Sequence, residues 1–283
     1  MHFPRPSRYG LFFLVLLVVG TGCTGLLQNV GARWVTRQIA SEFNLDEAQT
    51  AATRASVDRL IAAAPAALSS KVDMLVATVD TAIAKGLTEK KLLGMERQVD
   101  DILDIIAKAI IDEASPVLAT LRDDQIAFVE ARIQKRLDEA REEIEKPAKE
   151  RLEKRQDEFV DAVEDWAGSL TDGQEAALRK YVAGLPDESA ARLGADERRV
   201  QRVAAVFQTH PDPEMIRQTL WNEWKKREDW GPDARPPAAR RAEGREALLF
   251  VYGILDAKQK DHASQHLHEL HDKIKSFFGA AGT

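Results

Sequence analysis

The chain has 283 residues, 44% of them hydrophobic and 30% charged. That is enough apolar material for one large or two modest cores, and it excludes a disordered chain. The net charge of −6 argues against a nucleic-acid partner, because neutralising phosphates requires clustered Lys and Arg. Sparse aromatics with abundant Ala, Leu, Glu, Lys and Arg give the composition of long helices.

The first elements in chain order are targeting signals. Arg5 and Arg8 form a positive n-region, and the apolar run Leu11 to Val19 follows. That run is too short for a membrane-spanning helix, which needs roughly 20 apolar residues, and it has the length of a signal-peptide h-region. Gly20, Thr21 and Gly22 then lead to Cys23, the single cysteine, so no intramolecular disulfide can form. A lone thiol after a small-residue cleavage site resembles the lipobox of bacterial lipoproteins, with Gly20 where that box usually has Leu. The expected layout is a signal peptide over 1–22, a lipidated N-terminus and tether over 23–29, and a helical periplasmic domain over 30–283. Several acyl chains on Cys23, palmitate among them, would be a stable anchor. Thr24, in place of Asp after the cysteine, resembles outer-membrane sorting in enterobacteria. Losing Arg5 and Arg8 with the signal takes the charge from −6 to about −8. On net charge alone, no attraction to anionic lipid is expected beyond the anchor.

Downstream, the pattern is helical throughout and shows no strand alternation. Pro116 is expected to separate a run ending near Glu113 from the next element. Ile126, Val129, Ile133, Leu137, Ala140 and Ile144 then recur at steps of three and four, with charges on all other faces. So narrow a stripe predicts a long charged helix covered on one side only. Pro147 predicts a break over 143–147, after which Leu152, Phe159, Val163 and Trp166 resume the pattern. Gly184 to Asp187, Thr209 to Pro213 and Gly231 to Pro237 read as boundaries. The expected architecture is all-α, an elongated multi-helix bundle. One body is expected on both sides of the Pro211–Pro213 linker, because the last helix carries an apolar stripe that needs cover.

One short pattern recurs: LDEAQ at 45–49, LRDDQ at 121–125, LTDGQ at 170–174 and LDAKQ at 255–259, with a partial LTEKK at 87–91. In LTDGQ, Thr171 can cap a helix while Gln174 reaches back to the cap's own amide, a capping box. Asp46 with Gln49, and Asp256 with Gln259, can do the same. Arg122 has no side-chain acceptor and makes the weaker copy.

On these residues the chain resembles the uncharacterised bacterial lipoproteins grouped as domain of unknown function 6279. The likeness runs from Trp34, Phe43 and Asn44 through the recurring segments. It continues through Trp166-Ala167-Gly168-Ser169 and the Glu197-Arg198-Arg199 stretch, and ends with Trp221 and LDAKQ. The resemblance implies a helical envelope lipoprotein and supplies no catalytic residues. A weaker likeness joins LTDGQ to the LTxxQ motifs of Spy- and CpxP-type periplasmic proteins, which act as chaperones or stress sensors.

Three features are candidate sites. His262, His266 and Glu269 share one edge of the last helix and could hold zinc, although Lys273 lies on the same edge and would repel a cation. A solvated helix flank is the competing reading. Trp221 and Trp224 share a helix face and suit either a core or a protein-partner hot spot. The charged stretch Arg136 to Glu158 suits either a partner or a solvated surface with pairs such as Glu142 with Lys146. No GxSxG, Walker loop, HExxH or EF-hand loop is present, so no catalytic residue is assigned. Apart from the covalent lipid, and zinc as the alternative, no cofactor is expected. The expected role is a lipid-anchored, non-enzymatic protein-interaction or chaperone-like module, with another envelope protein or non-native chains as partner. The alternatives are a metal-responsive protein and an enzyme of unknown type.

Overall fold

The computed structural model describes residues 26–281. The lipidation site expected at Cys23 lies outside the described residues. Ten helices account for the described chain: α1 Leu26–Phe43, α2 Glu47–Lys85, α3 Glu89–Leu118, α4 Asp123–Glu145, α5 Ala148–Ala167, α6 Asp172–Ala183, α7 Ser189–Phe207, α8 Pro213–Lys225, α9 Pro237–Ile254 and α10 Ala257–Ala281. The chain is all-α. Helix α1 starts at Leu26 and so takes in residues 26–29, expected as part of the tether.

Two prolines behave differently from a third. Pro147 does break the chain, as its missing amide requires: α4 ends at Glu145 and α5 starts at Ala148. Pro116, expected to separate two elements, lies inside α3, and Pro65 lies inside α2. Pro116 sits two residues before the end of α3, and the backbone bond it removes is the one to the carbonyl of Asp112. Around Pro116 the burial of Ile111 and Ser115 outweighs the single backbone bond lost, whereas α2 runs through Pro65 with no buried residue close by.

The 39-residue α2 is the longest element, and it is flanked by α3, α1 and α10. Helices α8 and α9 pack on α3, α4 packs on α7 and α1, and α6 packs on α5. One buried cluster joins Val160, Val163 and Ala167 of α5 to Leu178 of α6, covered by Phe250, Val251 and Ile254 of α9. A second joins Ala82 of α2 to Leu92 and Met95 of α3, covered by Leu249 of α9. Helix α9 therefore ties early and late parts of the chain into one body across the 211–213 linker.

The recurring leucine–glutamine segments meet in pairs. At the first junction, Gln49 Nε2 donates to the carbonyl of Thr120 (2.8 Å) and to Gln125 Oε1 (3.1 Å). Gln125 Nε2 returns the arrangement, donating to the carbonyl of Asn44 (2.8 Å) and to Gln49 Oε1 (2.6 Å). Each Oε1 also accepts its own cap amide, from Asp46 and Arg122 respectively, at 3.0 Å. At the second junction, Gln174 Nε2 donates to Ile254 and Gln259, while Gln259 Nε2 donates to Ser169 and Gln174. Thr171 and Asp256 give their amides to the two glutamine oxygens at 2.9 and 3.0 Å. Every amide hydrogen and oxygen of the four glutamines is used, which satisfies the three that are buried, Gln49, Gln125 and Gln259. The α1–α2 corner is thus clasped to the α3–α4 corner, and the α5–α6 corner to the α9–α10 corner.

Candidate functional site

Helix α10 presents its four histidines to two different neighbours. His262 Nδ1 lies 3.0 Å from the carbonyl oxygen of Trp166 in α5, and the His266 ring meets the Trp166 indole edge-on at 4.9 Å. On the other side, His268 Nε2 is 3.2 Å from Asp80 and His271 Nε2 is 2.6 Å from Asp73, both in α2. Glu269 is exposed. Among the described residues no group of three His, Cys, Asp or Glu side chains stands close enough to hold a metal ion. The histidines divide between two helix seams, with Leu267 buried between them.

The tryptophan pair of α8 is tied to its surroundings. Trp224 is half-buried; its indole N–H donates to Asp104 of α3 at 2.7 Å, and the Arg227 guanidinium lies 4.2 Å over its ring. Burial opposes ionisation of Asp104, but Lys225 and the Trp224 N–H outweigh it and hold the carboxyl below its usual range. Trp221 is also half-buried, with Lys225 at 5.4 Å from its ring. The more exposed tryptophans are Trp34 and Trp166.

The charged run over 136–158 spends much of its charge within the chain. Arg132 and Arg136 of α4 converge on Glu42 of α1, Arg141 pairs with Glu197 of α7, and Arg151 with Asp187. Lys146 pairs with Glu143 and Glu150, not with the expected Glu142. The apolar stripe Ile126 to Ile144 is half-buried throughout, against α7 and α1.

A different surface stands open. Ala48, Ala52, Ala55, Arg59, Ala62, Ala66, Ser70, Met74, Ala77 and Thr81 follow one another at steps of three and four along α2, and all are exposed. At 1.5 Å per residue this stripe is about 50 Å long. Between Val57 and Val76 no residue of α2 is buried, and from Leu60 to Ser70 none is charged. By length and composition α2 could cross a bilayer. Met74 is 60% exposed, the most open of the large apolar side chains on the described surface. At its N-terminal end the stripe enters a groove of about 530 Å³ between α2 and α3, floored by Ala48, Ala52, Ala55, Pro116 and Val117. Arg122 and Arg59 stand at the groove, paired with Asp46 and Glu113. The three-and-four spacing is visible in the sequence. Alanine lies all round this helix, so sequence alone leaves the exposed face undetermined.

No curated protein and no solved structure matches the chain. A family model matches residues 45–235, narrower than the likeness read from the sequence, leaving Trp34 to Asn44 and the LDAKQ helix start outside. Three of the four leucine–glutamine segments fall within that span, and on this match the chain belongs to the family of unknown function DUF6279.

Proposed function

We propose that this chain is a lipid-anchored, non-enzymatic module of the cell envelope that docks a partner protein along the outward face of α2. The observation that carries the reading is the exposed stripe Ala62, Ala66, Ser70, Met74, Ala77, set in a span of α2 with no buried residue between Val57 and Val76. Small side chains at seam spacing let a second helix approach closely, and Met74 supplies an adaptable apolar contact. Long apolar exposure on a folded body marks an interaction surface. A partner offering an amphipathic helix, apolar on the face that meets α2, fits this geometry.

The shifted acids offer no candidate for one catalytic role, a carboxylic general acid. Among the described residues, every carboxylate whose pKa departs from its ordinary value is held below it, with donors and cations outweighing any partial burial. A general acid working near neutral pH needs the opposite shift. The anchor reading rests on the segment ending in Cys23 and places the module on the periplasmic side of the outer membrane.

The test is crosslinking in living cells, followed by purification through a C-terminal tag. One or two reproducible envelope proteins recovered with the wild type, and lost with Ala62→Arg and Ala66→Arg combined, are the expected result. Cys23→Ser should lose lipid and membrane association. Recovery unchanged by the double substitution contradicts the docking face.

A further inference from the structure

The net acidity of the chain conceals one basic surface. Between Cys23 and Ser41 there is no Asp or Glu; the only charges are Arg33 and Arg37, and the first acid is Glu42. Both arginines are exposed on α1, and Trp34 beside them is 42% exposed. Most arginines of the described chain are committed to carboxylates or backbone carbonyls. Arg33 and Arg37 have no hydrogen bond or ion pair among the described residues, and they stand out among the exposed arginines for that reason. Arg33 and Arg37 lie at i and i+4, and Trp34 and Arg37 at i and i+3, so the exposed side of α1 carries two neighbouring cations with an indole at their flank.

We infer that this face of α1 rests on the phospholipid surface beside the anchor, a second and non-covalent membrane contact. The inference depends on the acylation of Cys23 proposed above. Helix α1 starts at Leu26, three residues after that cysteine. Acylation would therefore hold the start of α1 at the bilayer surface, and a helix lying flat there brings residues 33–37 within reach of the headgroups. Guanidinium groups match phosphate geometry, and an indole suits the boundary between headgroup and acyl chain. Exposed Arg and Trp suit a protein partner as well; what favours the lipid surface is their place on the first helix after the proposed anchor. The consequence is orientation: the acyl chains hold the chain to the membrane, and α1 sets which way the body faces.

The test uses the full acylated chain in vesicles of phosphatidylethanolamine and phosphatidylglycerol. Acylation consumes the thiol of Cys23, so Gln38→Cys supplies the single labelling point for an environment-sensitive fluorophore beside the patch. Lipids spin-labelled at the headgroup should quench this probe, but not one on Lys180→Cys of α6, which packs on α5. Each basic residue near an anionic surface contributes about a five-fold preference. Arg33→Glu with Arg37→Glu should then lower the ratio of surface-bound to detached orientations by at least about 30-fold, while the protein still floats with the vesicles. In the unsubstituted patch, raising the salt should weaken the quenching, as screening requires. A floating chain whose probe at position 38 is unquenched, or quenched equally after the double reversal, overturns the inference. A chain that labels at Cys23 or fails to float overturns the anchor as well.

Discussion

Helices α2 and α4 start from the same glutamine clasp and expose opposite chemistry. The outward side of α4 is laced with charge, much of it satisfied within the chain by Glu42, Asp138 and Glu197. The outward side of α2 is small, apolar and uncharged from Leu60 to Ser70, and nothing in the described chain covers it. A charge already paired at a surface gains little from a new partner, since exposed pairs are worth about 0–1 kcal/mol. Apolar area still open to water gains on burial, at roughly 25 cal/mol per Å². The charged helix draws the eye in the sequence, yet the proposed docking face lies on the quieter one.

The largest expected effect on this comparison comes from the clasp beneath both helices. Gln125→Leu leaves the Arg122 amide, the Asn44 carbonyl and the Gln49 side chain short of a partner in a fully buried site. Unfolding in urea should show a loss of about 2–3 kcal/mol, and the partner should be lost with it. Gln174→Leu at the second clasp should cost less, because Gln174 is only half-buried and water can replace part of what is removed.

Next comes the face itself. Ala62→Arg with Ala66→Arg should lower partner recovery at least about ten-fold, the effect of roughly 1.4 kcal/mol at an interface. Thermal stability should stay within about 0.5 kcal/mol, since both positions are exposed in a helix interior. A comparable loss of stability would mean that the face is part of the fold.

Acid should loosen α10 from α2. The His271 hydrogen bond, opposed by desolvation and aided by Lys275, holds Asp73 below its ordinary value. The Ser264 hydroxyl, opposed by desolvation and aided by His268, does the same for Asp80. A depressed folded pKa means the contribution is complete above the unfolded value of about 3.9 and is lost as pH falls through the folded value. Near-ultraviolet circular dichroism should therefore change below about pH 4, and Asp73→Asn with Asp80→Asn should reduce that change.

The smallest effect should come from the charged helix. Arg136→Glu breaks one exposed pair with Glu42, whose carboxylate keeps Arg132. Its cost should be about 0.5 kcal/mol, with partner recovery unchanged.

Much of this fold is legible in the sequence, but its long-range connections are not. Asp46, Thr171 and Asp256 announce helix starts because cap and glutamine lie three residues apart, and all three form the expected capping boxes. Arg122 caps nothing with its side chain; Gln125 still receives its amide, and the contacts across the clasp compensate. The pairing of these segments, 76 and 85 residues apart, leaves no local trace. A glutamine at the third helical position looks complete within its own turn. The same limit applies to Trp224 and His271, whose partners Asp104 and Asp73 lie 120 and 198 residues away. Pro116 misleads for a different reason: a proline near a helix end reads as a boundary, although the tertiary packing carries the helix two residues past it.

The docking face is tested most directly by site-resolved photo-crosslinking in cells. A photoreactive residue is placed in turn at Ala62, Ala66, Ala77 and, as the counterpart on α4, at Glu139. One discrete adduct is expected from all three α2 positions and none from Glu139. Adducts from Glu139 with none from α2 would contradict the docking face and return the partner surface to the charged helix.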